Sequence, residues 1–160
     1  GSVTTAVNAD QGSIAPSFAA FRELHGKYLL QTQIAHLFSL QDWERYYDEI
    51  TVTGIDKVNE NKVYVIKLSN GKIPLTRVYI DAKNGDILKQ ETDMLNPTIG
   101  SIPVTTFYEN FKNINGLSMP FKVTVNNEFN GTSVIEVDSV ETGLKFDQNI
   151  FILNNPKSGE

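Results

Sequence analysis

Four Asn-Gly pairs punctuate the last two-thirds of this chain: Asn70-Gly71, Asn84-Gly85, Asn115-Gly116 and Asn130-Gly131. Each interrupts a stretch rich in β-branched and aromatic residues. An Asn-Gly pair accepts positive φ at both central positions of a type I′ turn, so it closes two antiparallel strands with little strain. Four such signals in 160 residues specify a meandering antiparallel sheet. Such a sheet has two faces, and one of them is free to hold a ligand.

The pattern along the chain fills in this frame. Gly1-Ser2 has the form left by tag cleavage. Residues 1–16 are small and polar, with Gly12 and Pro16, and read as a flexible lead-in. Phe18, Phe21, Leu24 and Tyr28 then recur at helical spacing, with Gly26 as a break. Leu30, Ile34, Leu37 and Phe38 continue helically, and Ser39-Leu40-Gln41-Asp42 has the form of a capping box ahead of Trp43 and Tyr47. Strands are predicted near 49–58, 62–69, 75–82, 86–94, 102–112, 118–129 and 132–142.

Alternation divides each strand into two faces. Tyr64, Ile66 and Leu68 share one face of their strand, Val78 and Ile80 one face of the next. Phe107 falls with Phe111, Phe121 with Val123 and Val125, and Ile135 with Val137. The alternate positions Lys122, Thr124, Asn126, Glu136 and Asp138 are polar. One wet face and one apolar face mark a sheet that covers something, here the helical segment. Val63, Val65 and Tyr79 break the alternation, so part of the sheet is expected to be covered on both sides. The expected class is α+β: a curved antiparallel sheet of about seven strands packed on N-terminal helices.

Chemistry is sparse. A net charge of −5 with scattered Lys and Arg argues against nucleic acid, which asks for a basic stripe. With no cysteine, disulfide scaffolds, thiolate zinc sites and cysteine nucleophiles are excluded. His25 and His36 stand eleven residues apart, not at the three- or four-residue spacing of a helical metal pair. Asp81 to Asp86 has Lys83 and Gly85 where a calcium loop wants oxygen donors, so a hairpin turn is the better reading. No metal or cofactor is expected, and no catalytic residue. Asn130-Gly131-Thr132 matches a glycosylation acceptor but reads better as a tight turn.

The rings Phe18, Phe21, Tyr28, Phe38, Trp43, Phe107, Phe111, Phe121 and Phe129 read first as core filling. The sharper reading is an apolar cavity between sheet and helix. Burying an acyl chain of ~15 methylenes there is worth on the order of 10 kcal/mol gross.

From about Leu40 to Pro156 the chain resembles the periplasmic outer-membrane lipoprotein-sorting (LolA-like) family. Tyr47–Val58 reads Y-D-E-I-T-V-T-G-I-D-K-V, with Gly54 inside a strand ahead of a polar turn. Val63–Leu68, Arg77–Asp81 with the turn Lys83-Asn84-Gly85, and Ile87-Leu88-Lys89 follow. Thr106–Phe111 leads to Ile114–Leu117 and Met119-Pro120-Phe121, and Val140-Glu141 runs through Phe146-Asp147 to Phe151. Order and spacing carry the resemblance, since no single block is specific. It implies an incomplete β-barrel around helices, with a hydrophobic cavity for acyl chains and an extracytoplasmic location. The opening helix and first strands of such a fold are missing. A C-terminal fragment of a longer protein and a shortened family member both fit. No residue matches a lipoprotein-gripping arginine, so no binding residue is carried over.

The resulting expectation is a single LolA-like domain over 17–156 that is noncatalytic and binds a lipid or other acyl ligand. The lining would be Tyr64, Ile66, Val78, Ile80, Phe107, Phe121, Val123 and Ile135, gated by Leu30, Ile34 and Phe38. Membrane contact would be transient. The alternative is a protein-interaction or regulatory domain of a larger secreted protein such as a peptidase. Val78-Tyr79-Ile80-Asp81 with Asn84-Gly85 looks like the PepSY type over about fifteen residues.

Overall fold

The computed structural model describes residues 1–7, 10–17, 19–35 and 43–147. The chain divides into two compact units, one of residues 1–43 with 143–160 and one of residues 44–142.

The first unit holds β1 (Val3–Val7), β2 (Gly12–Pro16), β3 (Arg22–Leu24) and α1 (Gly26–Ala35). The strands form a three-stranded antiparallel sheet in sequence order. Two expectations are corrected here. The stretch read as a flexible lead-in forms β1 and β2, paired from Val3↔Pro16 to Val7↔Gly12. The helical spacing of Phe21, Leu24 and Tyr28 is coincidental, because Arg22–Leu24 is a strand and the helix starts only at Gly26. Gly26 has φ +54, a left-handed conformation that suits glycine and separates strand from helix. Within α1, Ile34 is buried and Leu30 half-buried. Phe18, His36, Leu37, Phe38, the capping box and Phe151 lie outside the described residues.

Gly12 shows how tightly this unit closes. A Cβ placed there would stand 2.9 Å from Leu29 Cδ1, 3.2 Å from Leu24 Cδ1 and 3.3 Å from Val7 Cγ2. Gly12→Val is therefore expected to lower stability by about 1–3 kcal/mol through overpacking, read as a shift in the urea midpoint. An unchanged midpoint would show that the leucines move aside freely.

The second unit carries α2 (Trp43–Tyr46, its first residue in the other unit) and seven strands: β4 (Glu49–Val58), β5 (Asn61–Ser69), β6 (Thr76–Asp81), β7 (Ile87–Asn96), β8 (Gly100–Ile114), β9 (Leu117–Asn127) and β10 (Gly131–Glu136). They form one open antiparallel meander in sequence order, with β4 and β10 at its edges. All seven expected strands are present, though the last ends at Glu136 and not near 142.

The turns are more varied than the Asn-Gly signal implied. Asn115 (φ 52) and Gly116 (φ 89) make the expected two-residue turn, pairing Ile114↔Leu117. Asn59 (φ 46) and Glu60 (φ 66) make a second one between Val58 and Asn61 without any glycine. At Asn130-Gly131 only the glycine is left-handed (φ 82), closing a three-residue loop from Asn127, whose Oδ1 accepts from the amides of Phe129 and Asn130. The β7–β8 loop repeats the device: Asn96 Oδ1 accepts from Thr98 and Ile99, and Gly100 has φ 87. The side chain of Asn caps the turn while Gly supplies the left-handed exit.

Two register shifts bend the sheet, one between Val52 and Gly54 in β4 and one where β6 meets β7 at Tyr79/Ile80. Bulges of this kind add local twist, and the first also blunts an exposed edge strand.

Candidate functional site

Strand register sorts the side chains of the seven-stranded sheet, because residues directly opposite one another share a face. One crosswise row runs Val52↔Ile66↔Val78↔Gln90↔Thr106↔Val125↔Ser133, one residue per strand. The same face carries Ile50, Ile55, Tyr64, Leu68 and Ile80 toward the β4 edge, and Tyr108, Phe121, Val123 and Ile135 toward the β10 edge. This is the apolar face. It brings together seven of the eight sheet residues expected to line a site: Tyr64, Ile66, Val78, Ile80, Phe121, Val123 and Ile135.

Phe107 is the exception. It pairs with Lys89 and Thr124 and so stands on the opposite face, with Glu109, Lys122 and Glu91. It packs there against a small core of Val58, Val63 and Tyr79, joined by Val65 and Leu88. Val63, Val65 and Tyr79 among them are the residues whose break in alternation predicted cover on both sides. Leu30 and Ile34 belong to α1 in the other unit.

Burial divides the apolar face. Leu68, Val78, Ile102 and Phe121 are buried, whereas Val52 (64% exposed), Ile55 (61%) and Ile135 (55%) are open. Tyr47 covers the end of the face near β6: it is itself buried, and its hydroxyl lies 3.5 Å from Thr76 Oγ1. Thr76 in turn donates to Thr92 Oγ1 at 3.1 Å. Burial raises the Tyr47 phenol, with the Thr76 contact partly opposing it.

A polar seam crosses the centre of this apolar face, and the sequence reading missed it. It consists of Thr76 and Thr92, a register pair, then Gln90 and Thr106, another pair, and Tyr108. The Tyr108 hydroxyl donates to Gln90 Oε1 at 3.2 Å, and burial raises its pKa. The signal was available in β7, where Gln90 and Thr92 occupy positions of the apolar alternation.

The opposite face is held by paired charge. Lys89 bridges Glu91 and lies 4.5 Å from the Tyr79 ring centroid, and the Tyr79 hydroxyl donates to Glu91 Oε2 at 2.7 Å. Lys122 pairs with Glu109 at 3.0 Å. Burial, then the bond to Glu91, pushes Tyr79 up to about 12. For Glu91 burial acts upward, but the bonds from Lys89 and Tyr79 outweigh it and hold the carboxyl below its ordinary value. The contribution of Tyr79 to stability is therefore complete below its ordinary pKa of 10.0 and is lost as pH rises toward 12. Urea midpoints taken between about pH 8 and about pH 11.5 should fall more steeply for the unmodified protein than for Tyr79→Phe. Parallel curves would mean that the phenol's environment carries no stability.

Open grooves lie on both faces of the sheet. One, of about 550 Å³, is on the opposite face between Lys89, Phe107, Thr105, Asn126 and Thr132. The other, of about 420 Å³, lies by Lys112, Phe121, Glu136 and Asp138, where Lys112 Nζ is 3.9 Å from the Phe121 ring centroid. Among the described residues no group of three or more His, Cys, Asp or Glu is placed to hold a metal ion.

A putative outer membrane lipoprotein-sorting protein domain from Vibrio parahaemolyticus superposes on this chain with a TM-score of 0.58 at 17% identity. The match covers 91% of this chain and 65% of that one.

The chain has a LolA-like fold.

A LolA superfamily protein from Nitrosomonas europaea also matches, with a TM-score of 0.48 and 16% identity over 82% of this chain and 67% of that one. The chain thus spans about two thirds of the length of these LolA-like structures, and less than that of the Vibrio domain. No family model matches the sequence, and a search of curated proteins found no match. In the LolA-like frame the seven-stranded sheet is open, not closed, and helices are a minor part of the described chain.

Proposed function

We propose that this chain is a noncatalytic, extracytoplasmic binding module that holds a lipid or other acyl ligand on the apolar face of its open sheet. The observation that carries the reading is the exposure of Val52, Ile55 and Ile135 on the same face as the buried Val78 and Phe121. Exposed apolar side chains that continue a buried apolar face offer an acyl chain contact without any catalytic group. The LolA-like fold supports the reading, since a neighbour of that fold is described as a lipoprotein-sorting domain. Contact with a membrane would be transient, at loading and unloading. Among the described residues no helix is long and apolar enough to cross one.

Native mass spectrometry of the freshly purified chain, with organic extraction alongside, tests this. Extra mass that extracts as lipid is the expected result. A clean mass, with no uptake of added fatty acid or phospholipid, would refute it.

A further inference from the structure

The centre of the apolar face carries hydrogen-bonding groups that the fold does not use. Gln90 and Thr106 are opposite one another in register, and both are half-buried. Their row continues into Val78 on one side and Val125 on the other. Gln90 Oε1 is occupied by the Tyr108 hydroxyl, which assigns the carboxamide oxygen and leaves Nε2 as the donor. Among the described residues neither Gln90 Nε2 nor Thr106 Oγ1 has a side-chain partner. A half-buried donor on a largely apolar face gains by meeting an acceptor when an apolar ligand displaces its water.

Resting on the binding function proposed above, we infer that Gln90 and Thr106 form a polar specificity site that selects apolar ligands bearing a carbonyl oxygen over plain hydrocarbon. The carbonyl of an acyl ester accepts from Gln90 Nε2 and Thr106 Oγ1, and its chain lies along the apolar face between the exposed Val52 and Ile55 at one edge and Ile135 at the other. Tyr108 is a positioning residue: its hydroxyl holds the amide oxygen so that the amide nitrogen faces the ligand. A phenol is protonated across the physiological range at its ordinary value of 10.0, and burial raises that value further, so the hydroxyl is a donor.

The test uses two fluorescent probes of equal length, a pyrene-labelled alkane and the matching pyrene-labelled fatty-acid methyl ester. The unmodified protein is expected to prefer the ester, with each neutral hydrogen bond contributing about a fivefold factor. Thr106→Val, which keeps the shape and leaves Tyr108 undisturbed, should remove about fivefold of that preference. Gln90→Leu should reduce the ester preference by a similar factor. Equal binding of both probes by the unmodified protein, or an ester preference that survives Thr106→Val, overturns the inference while leaving the binding function intact. Failure to bind either probe overturns the binding function and this inference with it.

Discussion

Val52→Asp combined with Ile55→Asp should strip the protein of bound lipid without unfolding it. Both side chains are mostly exposed, at 64% and 61%, so the carboxylates remain hydrated in the free protein and stability should move by no more than about 1 kcal/mol. Bound ligand changes that balance. Laying methylenes over a carboxylate removes its water, a cost of several kcal/mol, and acyl affinity should fall about a hundredfold or more. Ile135→Asp at the other edge should weaken binding by the same mechanism. Phe121→Asp is the contrasting case: Phe121 is 6% exposed, so a charge there should disrupt the sheet and reveal nothing about the ligand. Lipid content by extraction and the thermal midpoint, measured on the same samples, separate the two outcomes. Undiminished lipid in the Val52/Ile55 variant would place the ligand elsewhere.

The strands were legible because each announces itself locally, by alternation and by the turn residues that follow it. Register was legible in part. A two-residue turn at Asn115-Gly116 makes paired positions in β8 and β9 sum to an odd number, so odd-numbered Phe107 cannot share a face with odd-numbered Phe121. Grouping the two by hydrophobicity overlooked a constraint that the turn itself supplies. The turn between Val58 and Asn61 was legible in place but not in type, because Glu is an unusual residue at positive φ. The opening hairpin escaped for another reason: Val3–Val7 and Gly12–Pro16 are five residues each, built of small residues with no regular alternation of polar and apolar positions, so their pairing leaves little pattern to read. The polar seam was legible only in part, as Gln90 and Thr92 within the apolar alternation of β7. Gln90, Thr106 and Tyr108 come together only through register, across two strands.

Val63→Ala should produce the largest loss of stability on the face that does not bind ligand. Val63 is 0% exposed and packs with Val58 and Tyr79, with Val65, Leu88 and Phe107 around them. Truncation removes two methyl groups, about 1.6 kcal/mol of transfer free energy, and leaves a cavity that the rigid strands of β5 and β6 close only partly. The expected cost is about 2–3 kcal/mol, a large share of the roughly 5–15 kcal/mol that holds a domain of this size. Thermal unfolding should drop by about 10–20 °C. Ligand retention at low temperature should be unchanged, because register puts Val63 on the face opposite Ile66 and Val78. The two measurements together test whether the sheet separates its tasks, with the Val63 cluster and paired charge on one face and ligand contact on the other. A Val63→Ala protein that melts normally, or one that stays folded yet loses its lipid, would show that this division between the faces does not exist.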